Sequence, residues 1–134
     1  MTKEPEKFTC LVVEDEALAI EMMEDYIGRR DDLVLLGVAI EVADVRIFLE
    51  MHAPCIIFLD LVIPPGESLG FHWGMLPSSS AIVVVSGIPL SEYRGPLPNG
   101  ELFELRKPFS FESFDRCVDR VLNRRKLEKD AVDD

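Results

Sequence analysis

A chain of 134 residues with 48% hydrophobic side chains can bury one core and leaves little over for a second folding unit. Its 25 acidic residues against 14 lysines and arginines give a formal net charge of −11, which opposes attraction to nucleic acid or to an anionic membrane surface. No apolar run approaches the ~20 residues that cross a bilayer and no N-terminal segment reads as a signal peptide, so a soluble, cytoplasmic protein without membrane insertion or direct nucleic-acid binding is expected.

The first segment, residues 1–7 (MTKEPEK), is charged, lacks apolar anchors and is expected to be flexible. FTCLVV at 8–13 is short, β-branched and apolar at both parities, as in a strand covered on both faces. Glu14, Asp15 and Glu16 follow at once. From there to residue 30 the period changes: Ala19, Met22, Met23, Tyr26 and Ile27 form a helical stripe, with Glu21, Glu24 and Asp25 on the other face. LVLLGVA at 33–39 reads as a second buried strand, and Ala43, Ile47, Phe48 and Met51 mark a shorter helix over 42–52, stopped by Pro54.

The third strand, 55–59, ends at Asp60 and a Pro/Gly loop. Before the fourth strand at 81–87, the segment ESLGFHWGMLPSSS is interrupted by Gly70, Gly74 and Pro77, which predicts a short third helix. The next segment, IPLSEYRGPLPNGE, is broken by Pro89, Gly95, Pro96, Pro98 and Gly100, leaving room for a single turn or irregular chain. LFELR at 102–106 is a fifth strand, followed by Lys107 and Pro108. The last helix starts at a Ser110 cap and carries Phe114, Cys117, Val118, Val121 and Leu122 as its stripe, with Arg124, Arg125 and Lys126 at its expected C-terminal end. Residues 128–134 read as a flexible acidic tail. Three widely spaced cysteines, Cys10, Cys55 and Cys117, fit reduced thiols better than a disulfide framework.

Strand and helix alternate five times, which calls for an α/β fold: a doubly wound parallel sheet with right-handed crossovers. Such sheets place their sites beyond the carboxyl ends of the strands. That edge receives Glu14 and Asp15 from the first strand, Asp60 from the third, Ser86 from the fourth and Lys107 from the fifth; the second offers only Glu41. Clustered carboxylates repel one another unless a cation joins them, and hard oxygen donors without Cys or His suit magnesium. Lys107 adds a charge for a phosphate oxygen and Ser86 a hydroxyl donor. The combination points to phosphoryl chemistry with Asp60 as nucleophile.

Singly, these residues have plainer explanations. Glu16 fits a helix-start charge, Lys107 a surface lysine, Ser86 a turn former, and Met22 and Met23 core filler. His52 and His72 have no partner at ligand spacing, and Phe71 and Trp73 fit partial burial better than a docking patch. Joint placement at one edge is what favours the functional reading.

The motifs LVVEDE, FLDLVIP, VVVSG and RKPF, in that order and at the ends of strands one, three, four and five, resemble the receiver domain of the two-component response-regulator family over residues 8–127. The resemblance implies a CheY-like sheet of order 2-1-3-4-5. It also implies Mg2+ held directly by Asp15 and Asp60, by Glu14 through water and by the Val62 carbonyl. Asp60 would take a phosphoryl group from a sensor histidine kinase or a histidine phosphotransfer protein, with Lys107 neutralising it and Ser86 moving to bond it. Val62 and Ile88 would flank the path of hydrolytic water; both are apolar, so slow autodephosphorylation is expected.

The chain departs from the family pattern at Ser68, where a glycine is usual, and at Glu104, where an aromatic residue usually precedes the lysine. With no output domain after the last helix, the expectation is a stand-alone receiver, a signalling module rather than a turnover enzyme, acting on a downstream protein target by contact or phosphorelay. The alternatives are an adaptor that keeps the fold without phosphorylation and a magnesium-dependent hydrolase of the haloacid dehalogenase type, which would need an acid where Val62 stands. A flavodoxin would need a phosphate-binding loop where VEDEALA stands.

Overall fold

The computed structural model describes residues 6–61, 73–92 and 102–133. Within them β1 (Phe8–Val13), β2 (Leu33–Ala39), β3 (Ile56–Leu59), β4 (Ala81–Ser86) and β5 (Leu102–Arg106) pair in parallel as one sheet, in the order β2-β1-β3-β4-β5. This is the expected doubly wound arrangement. Among the described residues three α-helices accompany it: α1 (Ala17–Gly28), α2 (Val42–Met51) and α3 (Phe111–Asp133). In the two crossovers where glycine and proline interrupt the helical pattern, the described residues hold 3-10 turns at Trp73–Met75 and Leu90–Glu92.

The runs that read as apolar at both parities are the central strands, and the pleat sends their side chains into two cores. Cys10, Val12, Ile56, Phe58, Val83 and Val85 pack with Met23 and Ile27 of α1 and with Phe114, Cys117, Val118 and Val121 of α3. Tyr26 sits among Phe109, Phe111 and Phe114, with ring centroids 5.5 to 6.0 Å away. On the opposite face Leu11, Val13, Ile57, Leu59, Ile82 and Val84 meet Val45 of α2, with Phe48, Trp73, Leu76 and Leu90 only partly buried against them. Trp73 is thus a core residue in part, as expected, whereas Phe71 and His72 lie outside the described residues.

Two expectations are corrected. β2 is not buried throughout: it is an edge strand in which Leu36 and Val38 are exposed. Its pairing with β1 slips by one residue, Cys10 facing Leu35 and Leu11 facing Gly37, so Leu36 bulges out of register. At Gly37 the Phe48 ring approaches so closely that an added Cβ would lie 2.9 Å from it, which explains the glycine. The second correction concerns the end of α3, which was expected at Arg124, Arg125 and Lys126 and which runs on to Asp133. Its continuation lacks an apolar stripe but has strong helix formers and an i,i+4 pair, Arg124 to Glu128 at 3.6 Å. Arg124, Arg125 and Lys126 therefore lie inside the helix, and Arg125 donates to the carbonyls of Ser79 (2.9 Å) and Cys55 (3.3 Å) instead of capping an end.

Candidate functional site

Each strand delivers its last residues to one edge. Backbone bonds carry the ladder past the strand ends and hold these residues in place: Glu14 N–H donates to the Ala39 carbonyl, Asp60 N–H to Val13 and Lys107 N–H to Ser86, all at 2.9 to 3.0 Å. Glu14, Asp60 and Ser86 are buried, with 4%, 8% and 6% of their surface exposed, while Asp15 is open to solvent. Carboxylates are seldom buried without a partner. Here Lys107 Nζ donates to Glu14 Oε1 at 2.6 Å and to Asp60 Oδ2 at 3.2 Å. The second oxygen of Glu14 accepts the backbone N–H groups of Asp15 (3.1 Å) and Glu16 (3.3 Å) at the entry to α1. Glu16 is the helix N-cap residue and makes no side-chain cap bond, in keeping with its reading as a helix-start charge.

Burial by itself pulls the Lys107 ammonium pKa down, but the bond to Glu14 and the charge of Asp60 outweigh it and hold the group above the ordinary lysine value. Lys107 is therefore a cation throughout the physiological range. One carboxylate oxygen from each of Glu14, Asp15 and Asp60 lies within 4.8 Å of the others. Three carboxylates against one ammonium leave a formal charge of −2. That donor set, hard oxygens with no sulfur or imidazole among them, fits Mg2+, which is held by few protein ligands and keeps several waters.

Ser86 Oγ accepts the N–H of Ile88 at 3.2 Å, so the hydroxyl stays at the strand end. Ile88 is half exposed on the loop beyond it. Val62, expected to offer its carbonyl to the metal, lies outside the described residues, as do Pro64, Ser68 and Gly70. Glu41 does not join the carboxylate group; it is the N-cap residue of α2. A cavity of about 440 Å3 opens at the amino ends of β4 and β5, beside Trp73, Ala81, Leu102 and Arg125, and is therefore separate from the acids at the carboxyl edge.

The sequence reading missed the use made of Glu104. Its side chain lies on the face shared by Val84 and Leu102, and Oε2 accepts the N–H of Leu90 at the start of the 3-10 turn. The available signal was an acid breaking the apolar parity of LFELR. The partner is a backbone amide, which leaves no mark in sequence.

Neither a protein-family model nor a curated protein matches the sequence. Solved structures do match in fold. The response regulatory domain of protein mrkE from Klebsiella pneumoniae superposes with a TM-score of 0.69 at 19% identity, over 89% of this chain and 98% of that one. The response regulator PhyR from Brucella abortus gives 0.76 at 17% identity, over 96% of this chain and 53% of that one. A variant of the anti-anti-sigma factor PhyR from Bartonella quintana gives 0.73 at 16% identity, over 92% of this chain and 52% of that one. The chain thus spans about half the length of the PhyR structures and nearly all of the mrkE domain. With its strand order, its parallel pairing and these superpositions, the chain has the fold of response-regulator receiver domains.

Proposed function

We propose that this chain is a phospho-acceptor signalling domain in which Asp60 takes a phosphoryl group from a histidine kinase or a histidine phosphotransfer protein. The observation that carries the reading is the single ammonium of Lys107 bonded to both Glu14 and Asp60 inside a group of three carboxylates. A surface lysine has no need of two buried acids. A phosphoryl acceptor needs both a nucleophilic carboxylate and fixed positive charge beside it.

Glu14, Asp15 and Asp60 would hold Mg2+, with the Val62 carbonyl as a further ligand; the ion supplies positive charge to the oxygens of the transferred group. A carboxylate oxygen of Asp60 attacks phosphorus as the P–N bond to the donor imidazole breaks, its electron pair leaving with the ring. Lys107 shifts from bonding Asp60 to bonding a phosphoryl oxygen, so its charge follows the negative charge that arrives. Ser86 donates its hydroxyl proton to another of those oxygens. Asp60 is not regenerated quickly, because Val62 and Ile88 offer no group to orient water, and the domain therefore signals rather than turns over substrate. The fold likeness to part of an anti-anti-sigma factor supports output by contact with another protein.

Incubation with acetyl phosphate and Mg2+ tests this by intact mass. Covalent modification that needs Mg2+ and disappears in Asp60→Asn is the expected result. Steady phosphate release would instead make the chain a hydrolase, and no response at all would make it a phosphorylation-independent adaptor.

A further inference from the structure

The loop that leaves Ser86 is fastened at two points. The hydroxyl oxygen of Ser86 accepts the N–H of Ile88 at 3.2 Å, and two residues on the N–H of Leu90 donates to Glu104 Oε2. Pro89, between them, has no N–H to offer. Glu104 comes from the adjacent strand, paired with Val84 two residues before Ser86, and the same ladder is continued by Lys107 N–H on the Ser86 carbonyl at 2.9 Å. β5 therefore holds the residues on both sides of the Ser86–Ile88 bond.

We propose that Glu104 is a positioning residue for Ser86, acting through the amides of Leu90 and Ile88; the inference builds on the reading of Asp60 as phosphoryl acceptor. A serine hydroxyl has one proton to give and two lone pairs to receive. With Ile88 N–H occupying a lone pair, the oxygen is oriented and its proton remains for a phosphoryl oxygen across the cleft. That orientation lasts only while Ile88 stays put, and the next anchor along the loop is the Leu90–Glu104 bond. A carboxylate suits this task better than a neutral acceptor, because a charge-assisted bond to a backbone amide is the stronger kind. Glu104 is half-buried, which limits competition from water.

The test measures affinity for beryllofluoride, a phosphoryl mimic, in the presence of Mg2+, beside affinity for Mg2+ alone. Glu104→Ala is expected to weaken beryllofluoride about tenfold, the loss of one charged hydrogen bond, and to leave Mg2+ affinity unchanged, which also shows that the variant is folded. Glu104→Gln, whose amide oxygen can accept the same N–H, should recover most of the loss. In a Ser86→Ala background, Glu104→Ala should have no further effect, since it acts through the hydroxyl that is already gone. Full additivity of the two substitutions, or wild-type beryllofluoride affinity in Glu104→Ala, would overturn the role of Glu104 while leaving the acceptor reading intact. Absence of beryllofluoride binding by the unaltered protein would overturn both.

Discussion

Among the described residues the two faces of the sheet are covered by different means. On one, α1 and α3 cover the strands with a continuous core in which Phe58, Phe114, Cys10, Cys117 and Val118 are almost wholly inaccessible. On the other, Leu11, Val45, Ile57 and Val84 are just as inaccessible, but among the described residues α2 is the only α-helix there, and the 3-10 turns at Trp73–Met75 and Leu90–Glu92 add partly buried side chains. The site stands between them. Glu14, Asp60 and Lys107 are held through the backbone ladder, whereas the residues just after Ser86 are held by two side-chain bonds and the partly buried Leu90. On the proposed reading, an acceptor held by the ladder beside a responder held by a few side-chain bonds is what a switch requires.

The largest effect should come from cutting into the core under α1 and α3. Phe114→Ala removes a ring with no exposed surface and should cost roughly 3–5 kcal/mol by urea unfolding, whereas Leu90→Ala, at a partly buried side chain of the other face, should cost well under half of that. Comparable losses at both positions would mean that Leu90 is packed as firmly as Phe114.

Removing the cation of the site comes next. Lys107→Ala leaves Glu14 and Asp60 facing one another, and should lower stability by about 1–3 kcal/mol in metal-free buffer, less than for a fully buried pair because the Lys107 side chain is 25% exposed. Added Mg2+ should recover more stability in this variant than in the parent, because it replaces the lost charge and binds the folded state. Equal metal effects in both proteins would speak against a shared role for lysine and metal.

A smaller effect, again in the core under α1 and α3, is set by pH. Burial, with the neighbouring Cys55 adding to it, pushes the Cys10 thiol up from 9.0 to about 12. The unfolded chain therefore releases this proton at lower pH than the folded protein does, so stability falls as pH rises from near 9 toward 12. The raised values of Cys117 and Lys107 act in the same direction. Cys10→Ala should make the stability profile flatter between about pH 9 and 12; an unchanged slope in the variant would remove Cys10 from the account.

What sequence reasoning could reach follows the same division. All five strands were legible as short apolar runs bounded by polar or turn-forming residues, and the convergence of Glu14, Asp15 and Asp60 followed from parallel topology. The exposure of β2 was not legible, because LVLLGVA has the same apolar character whether one edge or both are paired. The far end of α3 was missed because it is held by helix propensity and an ion pair rather than an apolar stripe. The direct bonds of Lys107 to Glu14 and Asp60, and of Glu104 to Leu90, depend on distances that spacing along the chain does not encode.

The most direct test of the central claim is to locate the modification. After reaction with acetyl phosphate, borohydride reduction converts an aspartyl phosphate into homoserine, and peptide mapping identifies the residue changed. The account predicts conversion at Asp60 alone, with Mg2+ and not with chelator. Conversion at Asp15 or at any other residue, or equal conversion without metal, would contradict it.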